Sequence, residues 1–484
     1  MLPETLQQWL EQALAQLRCR RAEASVRAEL EAHLSEQYGA LLARGLPAEE
    51  AAAAAAREMG DPVLVGGGLD RVHRPRPAWG QVAAVGALLL AGALLRCAVD
   101  REAAGAAVNS AAAWLVVPKG FWGVLLAVAP ALLLLVLAAR FFDITLLERH
   151  TGKLYAVFCV LAVVCFTAGA RVGGRFYYGA PLALLFLPLY AALLYRQRGK
   201  GIQGLLTGCF GAAPGLAVCL LTPHLEMTVL LGLCCLAVCL WCCAKNWFGL
   251  GARASAAAVL AGAALAAVAL GILILNGGTL QYYFGRLQAA MDPASDPMGR
   301  GYLPLYVDLM HRASVPLGQG LDPAALAAGD VQYPAGFVFS SVFVRDGYQL
   351  SYLAWRLGVL PAALLALAVT AVLALLWRAA LRTHNALGRM LGIGCAALLS
   401  GQYALNLLLN CGLPVSGGFL AFAGSGGAML CAQALLAGLM LSAFRLDPVV
   451  GDPALRRPAV PAPPLPEGAR VAYRDGVLSI RFRR

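Results

Sequence analysis

Gln402–Gly427 reads QYALNLLLNCGLPVSGGFLAFAGSGG and falls in the last two of a long series of apolar segments. Within it, Asn406, Asn410, Pro414 and a cluster of glycines sit at the depth of a membrane interior. Hydrocarbon offers no partner to amide side chains or to backbone released from a helix, so such residues persist only against protein or a water-filled cavity. The stretch is therefore expected to line a cavity or to pack helices closely. Gln402 and Asn406, one turn apart, are expected to bond between helices or to face that cavity.

The rest of the chain agrees with a membrane setting. Of 484 residues, 60% are hydrophobic and 13% charged, against about 45–50% and about 25% in soluble domains. An ordinary soluble protein is excluded, and the expected class is an all-α, polytopic membrane protein. Apolar windows fall near 80–96, 121–139, 154–170, 179–195, 203–222, 226–243, 254–276, 352–377, 387–410 and 417–444, roughly ten spans of bilayer-crossing length. The fifth is interrupted by Pro214.

The formal net charge of +12 collects in alternate loops. Arg140, Arg149 and Lys153 follow the second span, Arg196, Arg198 and Lys200 the fourth, Lys245 and Arg253 the sixth, and Arg378, Arg382 and Arg389 the eighth. The connection between the ninth and tenth carries neither Lys nor Arg. These basic loops are expected to be cytoplasmic together with both termini, facing membrane lipids. No basic motif interleaved with aromatics appears, so no nucleic-acid partner is expected. The 14 cysteines lie mostly inside apolar runs, as in Cys239–Cys243, where cysteine behaves as a small hydrophobe. No metal is expected.

Residues 1–76 read as a small cytoplasmic helical domain, with Trp9, Leu10, Leu14 and Leu17, then Val26, Leu30 and Leu34, at helical spacing. An alanine-rich helix is expected to end at Gly60, with Asp61-Pro62 capping another turn. No signal peptide is expected, because the start is charged and helical. A basic, proline-rich linker, Arg71–Pro77, leads into the membrane domain at 77–446. Residues 277–351 form an external segment far longer than an ordinary connection, mixing aromatic and charged residues as an ordered cap would. The tail 447–484 is basic and proline-rich, and ends in RVAYRDGVLSIRFRR, whose Asp475-Gly476 suits a short hairpin.

The ten-span layout, the long loop between spans seven and eight and the closing motif together resemble the SEDS family (FtsW, RodA and SpoVE). Asn406, Gly412, Pro414–Gly417, Leu420, Phe422, Gly426 and Gly427 fall on that family's terminal signature, with one residue missing before Pro414. Upstream, Arg286, Asp296, Gly299, Gly301 and Tyr302 in RLQAAMDPASDPMGRGY, and LGQG at 317–320, resemble two further family phrases. The N-terminal part is similar to a helical prefix domain that precedes permease-like proteins. The resemblance implies a bacterial plasma-membrane glycosyltransferase that polymerises the lipid-linked peptidoglycan precursor lipid II. It would serve division, elongation or sporulation beside a class B penicillin-binding protein-like transpeptidase. Two other readings stay open: a catalytically degenerate scaffold that binds lipid II or the partner, and a lipid transporter or flippase.

The departures fall on the chemistry. Where the family carries an extracytoplasmic aspartate before the eighth span, this chain has Tyr333-Pro-Ala-Gly-Phe-Val-Phe339, so Gly336 stands in its place. Transfer from a lipid diphosphate needs a base for the acceptor hydroxyl and cations for the departing diphosphate. Glycine supplies neither. The candidate catalytic carboxylates are Asp330 and Asp346, with Asp330 preferred as the residue of a mobile loop. Arg175 and Arg286, at the outer face, are candidates to grip the diphosphate. With Gln402, Asn406, Pro414 and Ser425 they complete the implied substrate-binding set. No cofactor is identified, and a divalent cation is compatible with diphosphate chemistry.

Overall fold

The computed structural model describes residues 2–75, 78–106, 120–169, 171–172, 175–222, 225–276, 284–285, 288–289, 291–297, 299, 301–322, 326, 347–413, 418–424, 426–447, 471–474 and 477–480. The chain forms two compact units, Met1–Val450 and Gly451–Arg484.

Helices α1 (Glu4–Leu14), α2 (Arg20–Ala43), α3 (Ala48–Met59) and α4 (Pro62–Val72) open the first unit. They enclose a core of their own around Leu6, Trp9, Leu10, Val26, Leu30 and Leu34. Gly60, at φ +84°, ends α3, and its carbonyl accepts the Trp9 indole N–H at 2.9 Å. Asp61 then caps α4 by accepting the Val63 amide at 2.8 Å, with Pro62 in the first turn where no amide is needed. Gly66 lets α4 lie on α1, since a Cβ there would stand 2.2 Å from the Ala13 carbonyl oxygen.

The apolar helices follow: α5 (Trp79–Ala106), α6 (Gly120–Phe141), α7 (Thr145–Arg149), α8 (Thr151–Ala168), α9 (Gly179–Leu184), α10 (Phe186–Arg196), α11 (Gly201–Gly211), α12 (Ala213–Leu221), α13 (Leu225–Ala244) and α14 (Ala252–Asn276). After a long connection come α15 (Tyr302–Ala313), α16 (Gln349–Arg356), α17 (Val359–Arg382), α18 (Ala386–Asn410) and α19 (Gly427–Leu446). Among the described residues, eight apolar helical stretches are long enough to cross a bilayer, with Gly179–Arg196 and Gly201–Leu221 each counted once. Shorter apolar helices at Trp79–Leu95 and Val128–Phe141 precede them. The chain is a multi-pass membrane protein.

Three expected spans differ in detail. The fifth breaks at Ala212, placing Pro214 in the first turn of α12, where its missing amide costs nothing. The eighth, read as 352–377, divides into amphipathic α16 and the span α17, because Gly358 takes φ +107° between them. The tenth, read from 417, begins only at Gly427, since residues 418–424 run as irregular backbone.

The most deeply packed spans are α19 and Gly179–Arg196 (α9 and α10), with 78% and 72% of their crossing windows buried, followed by α18 at 56%, against 11% for the peripheral α14. Small residues permit the tight crossings. A Cβ at Gly438 of α19 would lie 2.5 Å from Ala138 Cβ on α6. The basic loops gather at one end of the bundle. There Gly199 N–H donates to the Trp247 carbonyl at 2.8 Å, and the Arg198 guanidinium lies 4.5 Å from the Trp247 ring centroid. Asp447, just past α19, accepts the amides of His384 and Asn385 ahead of α18. The described cysteines are free thiols, most of them packed inside the bundle.

Two short ribbons complete the structure. Strand β1 (Arg171–Val172) pairs antiparallel with β2 (Arg175–Phe176). In the second unit, β3 (Val471–Arg474) pairs with β4 (Val477–Ile480) in the register Arg474↔Val477 of a two-residue hairpin.

Candidate functional site

At the end opposite the basic loops, the last two turns of α18 carry Gln402, Asn406 and Asn410. Spaced four apart, they share one face. That face is buried: Gln402 is 2% exposed and Asn406 not at all. The Asn406 and Asn410 amides both donate to the Gly347 carbonyl, at 2.9 and 2.8 Å. Asn410 also accepts from the Ser351 amide at 2.9 Å and from its hydroxyl at 3.0 Å. Both asparagines therefore clamp the start of α16, where the long connection after α14 returns to the bundle.

Gly347 is required here twice over. Its φ is +111°, and a Cβ would stand 3.1 Å from Leu409 and 3.4 Å from the Asn406 amide nitrogen. Beside it, with its carbonyl oxygen 3.5 Å from a Cβ position at Gly347, Gly418 at φ +85° presses the irregular segment onto α18, a Cβ there reaching 2.4 Å from the Asn406 backbone nitrogen. The segment continues through Phe422, fully buried at φ +62°, whose amide is held by the buried Gln433 Oε1 at 2.8 Å. Gly92 of α5 closes against Ala423, with a Cβ position 2.4 Å from its Cα. So the described part of the glycine-rich motif, 418–424, is irregular backbone wedged against α18, α5 and α19, with its Phe422 amide met by a buried side chain.

Gln402 sits one turn deeper. Its Nε2 lies 2.8 Å from Met227 Sδ on α13, and its Oε1 is a buried acceptor without a hydrogen-bond partner among the described residues.

Within the long connection, two of the sequence motifs form defined turns. Asp296 accepts the Gly301 amide on its carbonyl at 2.9 Å, and a Cβ at Gly301 would stand 2.1 Å from the Pro293 carbonyl oxygen. Asp296, Gly299 and Gly301 thus form the tight turn that launches α15. That helix packs Leu305, Tyr306, Leu309 and Met310 against Tyr352 of α16. Burial, with smaller contributions from Tyr302 and Tyr352, raises the Tyr306 phenol far above its ordinary range. The LGQG turn lies along the end of α16: Gly318 N–H donates to Leu357 at 2.9 Å and Gly320 N–H to Trp355 at 2.7 Å.

Beside the motif is an apolar groove of about 460 Å³ between α6, α8, α9 and α19, lined by Leu134, Leu161, Val164, Tyr178, Leu182 and Cys431 among others. Its neighbours at the end opposite the basic loops are Tyr177 and Tyr178, stacked edge-on at 5.0 Å. The Tyr177 hydroxyl stands 3.8 Å from a Cβ position at Gly426. Arg175 lies on β2, two residues before Tyr177, and its side chain is outside the described part.

Of the sequence candidates, the structure therefore brings Gln402 and Asn406 into one buried row and places Arg175 on β2, two residues before Tyr177. Asp330, Gly336, Asp346, Arg286, Pro414 and Ser425 lie outside the described residues. Sequence reasoning missed Gly347, Ser351 and Gln433, the partners that make the row an anchor. The polar run Asp346-Gly-Tyr-Gln-Leu-Ser351 at a span entrance was the available signal.

No family model matches the chain, and no curated protein matches it significantly. Solved structures do. A chain described for the structural coordination of polymerization and crosslinking by a peptidoglycan synthase complex is 21% identical, over 76% of this chain and 97% of that one, with a TM-score of 0.51. This chain shares that fold. The likeness agrees with the SEDS resemblance carried by the motifs. The rod-shape-determining protein RodA of Thermus thermophilus, and a variant of it with one aspartate replaced by alanine, are 20% and 19% identical over the same shares, with TM-scores of 0.43 and 0.45.

Proposed function

We propose that this chain is a SEDS-like protein of the bacterial plasma membrane that handles lipid II at its outer face and polymerises it as a glycosyltransferase, beside a transpeptidase partner. The observation that carries the reading is the apolar groove ending at the glycine-rich turn. A lipid-linked sugar needs an apolar channel for its chain and a polar mouth for its diphosphate. The groove is almost wholly apolar, and Tyr178 stands three residues from Arg175. Ligand sites of this kind occupy about 300–1,000 Å³. The shared fold with a synthase component and the terminal motif support the same reading.

In this scheme Arg175 and Arg286 hold the diphosphate, and the asparagine anchor fixes the return of the external segment. Asp346 directly precedes the anchored Gly347. It and Asp330 are the carboxylates proposed to accept the proton of the attacking hydroxyl in place of the missing family aspartate. A divalent cation, if used, would lie with the diphosphate.

Gly336 favours one alternative, a scaffold that binds lipid II and the partner without catalysis. Purified protein with fluorescent lipid II, alone and with a co-expressed penicillin-binding partner, separates the two. Glycan polymer that disappears in Asp346→Ala or Asp330→Ala supports the enzyme. Lipid II binding without polymer in either format supports the scaffold.

A further inference from the structure

At the basic end of the bundle lies a second cavity, of about 270 Å³, unrelated to the groove. Its walls come from four places: Arg74 and Pro75 of the linker, Ala78 just before α5 with Trp79 and Val82 on it, Ala139 and Arg140 at the end of α6, and Arg445 at the end of α19. Three of these eight residues are arginines and none is acidic. The linker that leaves the N-terminal bundle thus meets the membrane helices over a cluster of cations.

The cluster is built rather than incidental. Ser442 Oγ and Arg445 Nη2 both donate to the Phe142 carbonyl, at 2.6 and 3.2 Å, which fixes the end of α19 to the turn after α6. The Arg140 guanidinium lies 5.6 Å from the Phe141 ring centroid. Between the cations the floor is apolar, made by Ala78, Val82 and Ala139. The Trp79 indole is 53% exposed at the rim, where tryptophan marks the interfacial depth of a bilayer. Further down α6, Leu133, Leu137 and Phe141 are exposed apolar side chains suited to acyl chains.

Guanidinium groups grip phosphate oxygens bidentately, and basic pockets between membrane helices are recognised headgroup sites. A soluble phosphate would gain nothing from the apolar floor or from Trp79. We propose that this cavity binds the phosphodiester headgroup of an anionic glycerophospholipid, with its acyl chains along α6. The lipid would bridge Arg74, on the linker of the prefix bundle, to Arg140 and Arg445 on the membrane helices. Lipid charge would thereby set how firmly the prefix bundle is tied to the membrane domain. The proposal is independent of the proposed function and needs only membrane insertion.

The test is native mass spectrometry of the purified full chain titrated with dioleoylphosphatidylglycerol, dioleoylphosphatidylcholine or inorganic phosphate. Wild type is expected to retain phosphatidylglycerol in preference to phosphatidylcholine, and millimolar phosphate should not displace it. Arg74→Gln with Arg140→Gln, both at exposed positions, should weaken phosphatidylglycerol binding roughly thirtyfold, about fivefold per charge. Arg378→Gln with Arg382→Gln removes the same charge from the same end outside the cavity, and should leave binding nearly unchanged. Equal retention of the two lipids, displacement by phosphate, or an equal loss in both double variants would each overturn the proposal.

Discussion

Asn410 makes the clearest case at the scale of single residues. Its amide group serves Gly347, Ser351 and Asn406 at once, all within the buried end of α18. Removing one partner from a buried hydrogen bond strands the other at about 1–3 kcal/mol. Asn410→Ala is therefore expected to cost about 2–4 kcal/mol in all, read as a lowered unfolding temperature of the purified protein, with faster amide exchange at 347–351. The glycines make a second, contrasting prediction. Gly418→Ala and Gly92→Ala would drive a Cβ into backbone at 2.4 Å, and should each destabilise by about 1–3 kcal/mol. Gly262→Ala, in open space on α14, should leave thermal stability unchanged or slightly raised. That Gln402, Asn406 and Asn410 would face protein or a cavity could be read from sequence, because amides in hydrocarbon need partners. Gly347 could not, since its contribution is a carbonyl aimed by a left-handed backbone, and no side chain announces that.

Among the elements, two ends are held by single carboxylates. Asp447 accepts the His384 amide at 2.6 Å and the Asn385 amide at 2.8 Å, and its other oxygen meets His384 Nδ1 at 3.0 Å. Asp447→Ala should cost about 0.5–2 kcal/mol, the range for a lost helix cap, with exchange accelerating at 383–389 while α15 stays protected. In the N-terminal bundle, Arg27 donates to Glu11 at 2.7 Å. That hydrogen bond, before any Coulombic contribution, lowers the Glu11 carboxyl from its ordinary 4.5. A carboxyl lowered on folding adds stability that is complete above its unfolded value and is lost as pH falls through the folded one. Exchange in α1 should therefore quicken, once corrected for intrinsic rates, as pH drops below 4.5, and Glu11→Gln should flatten that dependence. Element boundaries were legible where a cap or proline marks them, as at Gly60-Asp61-Pro62. They were misread at α16 and α19, because hydropathy stays high across Gly358 and across the 418–424 backbone while the helix does not.

For the molecule as a whole, apolar length and the alternation of basic loops were enough to anticipate a polytopic helical bundle with a long segment before α16. The order of burial was less evident. Nothing in composition alone distinguishes α19, at the centre, from α14, at the edge, because lipid and protein neighbours select similar side chains. The groove was likewise invisible, since it is lined by residues from four separate helices. Its closing turn, Gly426 beside Tyr177, is what connects the glycine-rich motif to the groove proposed to take a lipid-linked sugar. Filling the groove with Cys431→Trp should abolish polymer formation while leaving expression and fold intact. The most direct measurement is glycan polymerisation from fluorescent lipid II by the wild-type chain, alone and with a co-expressed penicillin-binding protein, set beside that variant. Polymer from wild type and none from Cys431→Trp is the predicted result. Absence of polymer from wild type, or undiminished polymer from the filled groove, would contradict the account.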